Sequence, residues 1–288
     1  MSVNTYPQGS TVLITGCSSG IGQACALDLA ARGWQVLAGV RRPEDGERLR
    51  EQGGEPIRPV ILDVTDHAAL SELTEQLGES LGARGLDGLV NNAGIVTPGP
   101  MELLPVAAFR RQLEVNVLGP HAVTQALLPL LRQAAGRIVL VGSISGSITP
   151  PHLGAYAASK HALEAMADAL RIELRAWRIR VAIVQPDSVD TPIWNKYTGS
   201  FSSLYGQDDP ERQALYAAQM QRIRDRMHRA GRHGMPTGRV VAAVRHALTA
   251  RRPKAHYPVG IRTRLAIWAE HHLPTAWMDY FLRTAVGG

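Results

Sequence analysis

Cysteine is nearly absent. The 288-residue chain holds two, Cys17 and Cys25, too few for a disulfide framework and in no metal-binding spacing. The ten histidines form no HExxH pattern, and the adjacent pair His271-His272 would point two ways on a helix. No metal is expected. Apolar runs of the ~18 residues that a bilayer-spanning helix needs are missing as well. Residues 1–10 carry neither the basic start nor the apolar stretch of a secretory leader. These absences lead to the expectation of a cytoplasmic protein in a reducing compartment. No Pro/Gly/Ser-rich linker and no internal repeat divides the chain, so one domain is expected over 1–288.

Aromatic residues are sparse too, at 5%, and that limits what the charge can mean. A net charge of +6 suits an anionic ligand, a nucleic acid or a membrane surface. The arginines behind it are spread along the chain, densest between Arg212 and Arg239, and no element interleaves them with aromatics. A nucleic-acid-binding stripe is therefore not expected. A solvated face or a phosphorylated small ligand remains.

What the chain does have is regular alternation. Short β-branched apolar runs at Ser10–Thr15, Gln35–Val40, Pro59–Leu62, Gly88–Asn91, Arg137–Gly142, Arg180–Gln185 and His256–Val259 read as strands. Between them, Gly20–Arg32, His67–Leu81, Val106–Gln133 and Ala155–Trp177 carry apolar residues at helical spacing. Fully apolar strands alternating with helices predict an α/β fold. It is a doubly wound, Rossmann-type parallel sheet of about seven strands, with helices on both faces. Two regions break the pattern. One is an insertion over about 187–238. The other is a tail over 261–286, two short helical stretches either side of Pro274.

The first strand runs directly into Gly16-Cys17-Ser18-Ser19-Gly20-Ile21-Gly22 and then a helix. Gly16 permits the tight turn, Gly20 lets backbone approach a pyrophosphate, and Gly22 lets helix pack on sheet. The helix start offers unpaired N–H groups and a positive dipole end to phosphates. A plain structural turn has the same appearance. The second strand ends at Val40 and is followed by Arg41-Arg42, with no carboxylate to hold two ribose hydroxyls. A basic residue there accommodates a 2′-phosphate, so NADP(H) is expected in preference to NAD(H). The alternative is a pair of loop charges. Asp63, after the third strand, either accepts from an adenine amino group or caps the helix beginning near Asp66. Asn91-Asn92-Ala93-Gly94 closes the fourth strand at the same sheet edge, as turn chemistry or as part of a cofactor cleft.

Tyr156 and Lys160 stand four apart at a helix start, so phenol and ammonium share one face. A free phenol titrates near pH ~10 and is a poor base at neutrality; a neighbouring cation favours its ionised form. That suits general acid–base work, although such pairs also occur by chance. Ser143 ends the fifth strand, where its hydroxyl can hydrogen-bond an oxygen on which charge develops; Ser145 and Ser147 follow in the same loop. Asn116 lies mid-helix, an unfavourable place for it, so either a helix irregularity with a bound water or exposure to solvent is expected.

Together and in this order, Thr15–Gly22, Asn91–Gly94, Asn116, Ser143 and Tyr156–Lys160 resemble the short-chain dehydrogenase/reductase family over about residues 10–260. The resemblance implies an oxidoreductase that interconverts alcohol and carbonyl by hydride transfer, without metal. It implies that Tyr156 is the general acid and base, and that Lys160 lowers its pKa and binds the nicotinamide ribose. Ser143 would orient the substrate oxygen, and Asn116 would hold a water that extends a proton relay to Lys160. It implies a cofactor site of Gly16, Ser18, Ser19, Gly20, Ile21, Gly22, Arg41, Asp63, Val64, Asn92, Ala93, Gly94, Tyr156, Lys160, Pro186 and Thr191, with Thr191 at the carboxamide. The chain departs from the family pattern at Asp187, where glycine is usual; a left-handed backbone there would be strained.

Val36–Arg41, Thr191-Pro192-Ile193-Trp194 and the long tail are similar to the hydroxysteroid and retinol dehydrogenase branch. A lipophilic steroid-, retinoid- or bulky carbonyl-like substrate is the expectation, with a homodimer or homotetramer burying the two long helices. Leu215, Tyr216, Met220, Ile223 and Met227 form a stripe that is either a lid over a greasy ligand or ordinary core. Trp277, Met278, Phe281 and Leu282 in the tail pack on the fold, join subunits or touch a membrane surface. The alternative function is a non-catalytic dinucleotide-binding sensor or scaffold, which would need the glycine turn but not the Tyr/Lys pair.

Overall fold

The computed structural model describes residues 9–191 and 210–286. Seven strands form one sheet: β1 (Thr11–Ile14), β2 (Gln35–Val40), β3 (Ile57–Ile61), β4 (Gly88–Asn91), β5 (Arg137–Val141), β6 (Arg180–Pro186) and β7 (His256–Val259). Their order is β3-β2-β1-β4-β5-β6-β7, and every neighbouring pair is parallel. The doubly wound sheet is therefore present as expected.

Period-2 alternation divides the side chains between two cores. From β1, Val12 and Ile14 join Val36, Val90, Val139 and Val184 on one face, against helices α1 (Gly20–Ala30) and, late in the chain, Thr237–Thr249. Leu13 joins Leu37, Leu89, Ile138 and Leu140 on the other, against α3 (His67–Leu81) and two later helices. Both faces being covered is why these strands read as unbroken apolar runs. The order reverses between β1 and β4, which opens a crevice at the carboxyl ends of the strands.

Several boundaries move. β1 is shorter than the Ser10–Thr15 run, and β3 starts earlier than Pro59–Leu62. A helix that the periodicity did not announce, α2 (Pro43–Gly53), follows β2. It buries only Asp45, Gly46 and Leu49, so its apolar signal is too thin to read. Its start is nonetheless encoded, with proline in the first turn followed by Glu44 and Asp45 at the positive dipole end.

The expected Val106–Gln133 helix is α4 (Val106–Leu113), a widened π turn (Glu114–Leu118) and α5 (Gly119–Ala134). Asn116 sits in the widened turn. Pro120 has no N–H to return to the Asn116 carbonyl four residues earlier, which favours the widening. After β5, α6 (Gly154–Glu173) ends in a 3-10 turn over Leu174–Trp177.

Within the expected insertion, residues 192–209, and with them Pro192, Ile193 and Trp194, lie outside the described residues. The remainder forms α7 (Pro210–His233), followed by α8 (Thr237–Thr249). In the α7 stripe Ile223 is buried, Tyr216 and Met220 are half-buried, and Leu215 faces solvent; the Met227 side chain is outside the described set. The stripe is thus narrower than five residues. The tail is α9 (Ile261–His272) and α10 (Thr275–Val286), either side of Pro274 as expected. Its stripe splits: Met278 packs inward, whereas Trp277 and Phe281 are exposed. Among the described residues no helix is long and apolar enough to cross a membrane.

Candidate active site

The crevice at the carboxyl ends of the strands is a cavity of about 330 Å³ that runs from the glycine turn to the start of α6. At its nucleotide end Gly16 and Gly20 have φ of +71° and +63°, values that favour glycine. Gly22 does not line the cavity. It lies against the turn, and a Cβ there would come within 2.3 Å of the Gly16 carbonyl oxygen. Its part is close packing of α1 on the turn. The Asn92 amide donates to the carbonyls of Thr15 and Gly16 at 2.9 and 3.1 Å, and Thr15 Oγ1 accepts from the N–H groups of Asn92 and Ala93. Turn and β4 are therefore one rigid unit. Ser19 stands at the start of α1 without a capping side-chain hydrogen bond, so the first-turn N–H groups keep their capacity for an anion.

Beyond β2, the two arginines separate. Arg42 pairs with Asp45 at 3.0 Å in the first turn of α2. Arg41 lines the cavity and forms no ion pair among the described residues. Asp63 also lines it, and Asp63 is not the helix cap. The cap of α3 is Asp66, whose carboxylate accepts from the Ala69 N–H at 3.0 Å. One oxygen of Asp63 accepts from the N–H and hydroxyl of Thr65 at 3.0 and 2.8 Å. Burial works against the Asp63 carboxylate, but the Thr65 hydrogen bonds and the charges of Arg41 and Arg111 outweigh it and hold its pKa down. Arg111, on α4, was not legible as a site residue, since nothing in its spacing marks it. It faces the cavity and donates to Thr65 Oγ1 at 3.3 Å.

At the other end, Ser143, Tyr156 and Lys160 line the same cavity. Ser143 is buried at the end of β5, and its Oγ accepts from the Ser145 N–H at 3.1 Å. A hydroxyl that accepts one bond keeps its proton for another acceptor. Lys160 is buried, with Nζ donating to the Val141 carbonyl at 2.8 Å and lying 5.7 Å from the centre of the Tyr156 ring. Burial pulls its pKa down to about 8, partly offset by the charge of Glu164. Asn116 is fully buried rather than solvent-exposed, and it does not line the cavity. Its side chain accepts from the Ile95 N–H at 2.8 Å and donates to the Ile95 carbonyl and to Ser159 Oγ at 2.9 and 3.1 Å. Ser159 Oγ in turn donates to the Tyr156 carbonyl at 2.6 Å. Asn116 thus ties the β4 edge to the first turn of α6.

Around Ser143 the walls turn apolar: Ile95, Ile144, Pro150, Pro151, Leu153, Val189 and Ile223. Ile223 belongs to the stripe expected as a lid or as core; the other six were not singled out, because contact across loops leaves no periodic trace. Pro186, Asp187 and Thr191 line the floor, and Thr191 packs beside Gly20. Asp187 is not among the residues with positive φ, so aspartate in place of the usual glycine brings no left-handed strain. Met235 bonds back to Ser188 and Asp190, which pins the two ends of the insertion together. Among the described residues no cluster of His, Cys, Asp or Glu could hold a metal ion.

A parallel sheet with a glycine turn at its switch point, facing buried Ser143 and Lys160 and half-buried Tyr156 in one cleft, defines a dinucleotide-binding fold. Residues 10–200 match the model of the short chain dehydrogenase family. The chain is 36% identical over 289 residues to 17-beta-hydroxysteroid dehydrogenase type 6 of Bos taurus, covering 97% of this chain and 90% of that one. It is 36% identical to retinol dehydrogenase 5 of Mus musculus, over 94% and 87% of the two chains. It is 33% identical to an NADPH-dependent 3-dehydrocapnine reductase of Ornithobacterium rhinotracheale, over 93% and 94%. Among solved structures, a short-chain dehydrogenase from Streptomyces avermitilis superposes with a TM-score of 0.76 at 25% identity, over 98% and 99%. The chain belongs to the short-chain dehydrogenase/reductase family, in its hydroxysteroid and retinol dehydrogenase-like branch.

Proposed function

We propose that this oxidoreductase interconverts a secondary alcohol and a ketone or aldehyde with NADP(H), on a bulky lipophilic substrate. The observation that carries the reading is one cavity that holds Arg41 at one end and Ser143, Tyr156 and Lys160 at the other, under apolar walls. The residues present fit a phosphorylated dinucleotide. The positive-φ glycines and the uncapped start of α1 can receive the pyrophosphate, and Arg41, which forms no ion pair among the described residues where Arg42 is committed, the 2′-phosphate. The relative named as NADPH-dependent supports the same preference.

When bound, NADPH supplies the hydride to the carbonyl carbon. Tyr156 donates its phenolic proton to the carbonyl oxygen, and in the reverse direction takes it from the alcohol. Ser143, oriented by Ser145, donates a hydrogen bond to that oxygen as negative charge develops. Lys160 uses one N–H on Val141 and keeps two for the ribose and for stabilising ionised Tyr156. The Asn116 side chain is committed to Ile95 and Ser159, so the relay water belongs on the backbone of the widened turn rather than on the amide. Helix α7, with Ile223 facing the cavity, acts as the lid. Two copies pair through α4–α5 and α6, where Val106, Leu118 and Ile172 are exposed.

The test is oxidation of NADPH, followed at 340 nm, with a panel of steroid, retinoid and other bulky ketones and aldehydes. Turnover with NADPH favoured over NADH is expected. Tight binding without turnover of any carbonyl would leave a dinucleotide sensor instead, and failure to bind either dinucleotide would end the reading.

A further inference from the structure

Lys160 presents a problem of charge. It is buried, and its ammonium must persist near neutral pH to stabilise ionised Tyr156, yet burial alone favours the neutral amine. Its own hydrogen bond, to the Val141 carbonyl, orients it but supplies no full negative charge. One helical turn further along α6 lies Glu164.

The Glu164 carboxylate is mostly buried, with its side chain 14% exposed. Gln185 of β6 donates to its Oε1 at 3.1 Å, and His256 of β7 places Nδ1 3.4 Å from its Oε2. On its remaining side it packs against the backbone of the Ser143 loop. A Cβ built on Gly142 would stand 3.2 Å from Oε1, and one on Gly146 would stand 2.9 Å from it. The two glycines that bracket Ser143–Ser145 leave the space this carboxylate fills. His256 also reaches Asp168 with Nε2 at 3.4 Å, and Asp168 pairs with Arg171 at 2.8 Å. Lys160, Glu164, Asp168 and Arg171 fall at i, i+4, i+8 and i+11, one face of α6. With His256 protonated and inserted between the two carboxylates, charge alternates along that face from the buried site to the surface.

We propose that Glu164 is a positioning residue: anchored by Gln185 and His256, its carboxylate is the counter-charge that holds the buried Lys160 ammonium protonated through the reaction. This rests on the assignment of Lys160 above. The field of Glu164 on Lys160 acts in the required direction. His256 is itself held above its usual pKa, first by its hydrogen bond to Glu164 and also by the charges of Glu164 and Asp168, against the pull of burial. Protonated, it anchors Glu164 and also competes with Lys160 for its charge, so Glu164 acts on Lys160 most fully once His256 is neutral.

The experiment is the pH profile of kcat/KM for carbonyl reduction by the complete enzyme. Removing a negative charge lowers the pKa of any acid close by, so Glu164→Gln should move the alkaline limb down by about one pH unit. Glu164→Asp keeps the charge and should leave the limb near its wild-type position. Should the Gln variant fail to fold, Glu164→Met, of similar volume and with no polar atom to bury, carries the same test with the same expected shift. A neutral variant that loses rate evenly across pH, with its limb unmoved, would show Glu164 to be packing only and overturn the proposal. In that outcome the wild-type enzyme still turns over. Absence of wild-type turnover with every carbonyl would instead overturn the assignment of Lys160, and this inference with it.

Discussion

The two ends of the cleft are built from different materials. The nucleotide end is backbone and charge: positive-φ glycines, an uncapped helix start and Arg41, all on strand ends of one sheet. The substrate end is apolar side chains drawn from a loop after β4, the 150–153 segment, the floor after β6 and Ile223 of α7. Between them stand Ser143, just past β5, and Tyr156 and Lys160 on α6. Backbone geometry fixes what the first end can hold, because few residues satisfy a left-handed turn or a 2.3 Å approach. Packing fixes the second, and many apolar sets would pack there. The first end therefore specifies a cofactor, and the second adapts to a substrate.

The sharpest way to break this division is at the junction. Tyr156→Phe removes the phenolic hydroxyl while leaving ring packing and the nucleotide end untouched. Turnover should fall by roughly 10²–10⁴-fold with NADPH affinity nearly unchanged, read by initial rates and by titration of cofactor fluorescence. Substantial residual turnover would take Tyr156 out of its role. Next in size is Arg41→Ala. Losing a charge-assisted hydrogen bond of about 1.5–3 kcal/mol should weaken NADPH by about 10- to 100-fold and NADH far less. Equal losses for the two would make Arg41 a surface charge.

The same division explains how much of the molecule could be read before its structure. All seven strands, the glycine turn, Ser143 and the Tyr156–Lys160 pair were legible, since each is marked by strict periodicity or by a residue type that local geometry requires. Helix α2 was not, because it lies on the surface with three buried residues and shows only its start signals. The widened turn at Asn116 was half legible: an asparagine in mid-helix called for a reason, and Pro120 supplies part of it. Arg111, Ile95, Leu153 and Glu164 were silent, since what matters about them is a contact between distant segments. The apolar stripe on α7 was over-read. Leu215 continues the helical spacing but points to solvent, 73% exposed, and spacing alone cannot say where a partner surface stops.

The substrate end is probed by Ile223→Ala. It deletes an apolar wall contributed by α7 and touches neither Arg41 nor the Ser143, Tyr156 and Lys160 group. Loss of one to two buried methylene-sized contacts should raise KM for the bulkiest substrate by about 10-fold, with kcat changed much less and small ketones barely affected. A fall in kcat for all substrates alike would mean that α7 orders the site rather than shaping the pocket.

The smallest effect belongs to the floor, where Asp187 replaces the family's usual glycine. Two physical costs could attach to it, backbone strain and a negative charge beside the cofactor. The first is absent, because Asp187 does not adopt a positive φ. The second is what remains, and Asp187 lines the cavity. Asp187→Gly should therefore leave the melting temperature in the cofactor-free state within about 2 °C of wild type, since no strain is relieved and surface-type changes stay within ±0.5 kcal/mol. It should alter turnover by less than about threefold, upward if the carboxylate repels the bound cofactor. A large gain in stability would show that the aspartate is strained after all. A dead enzyme would move Asp187 into the working site, and the floor would then join the nucleotide end in being specified rather than adaptable.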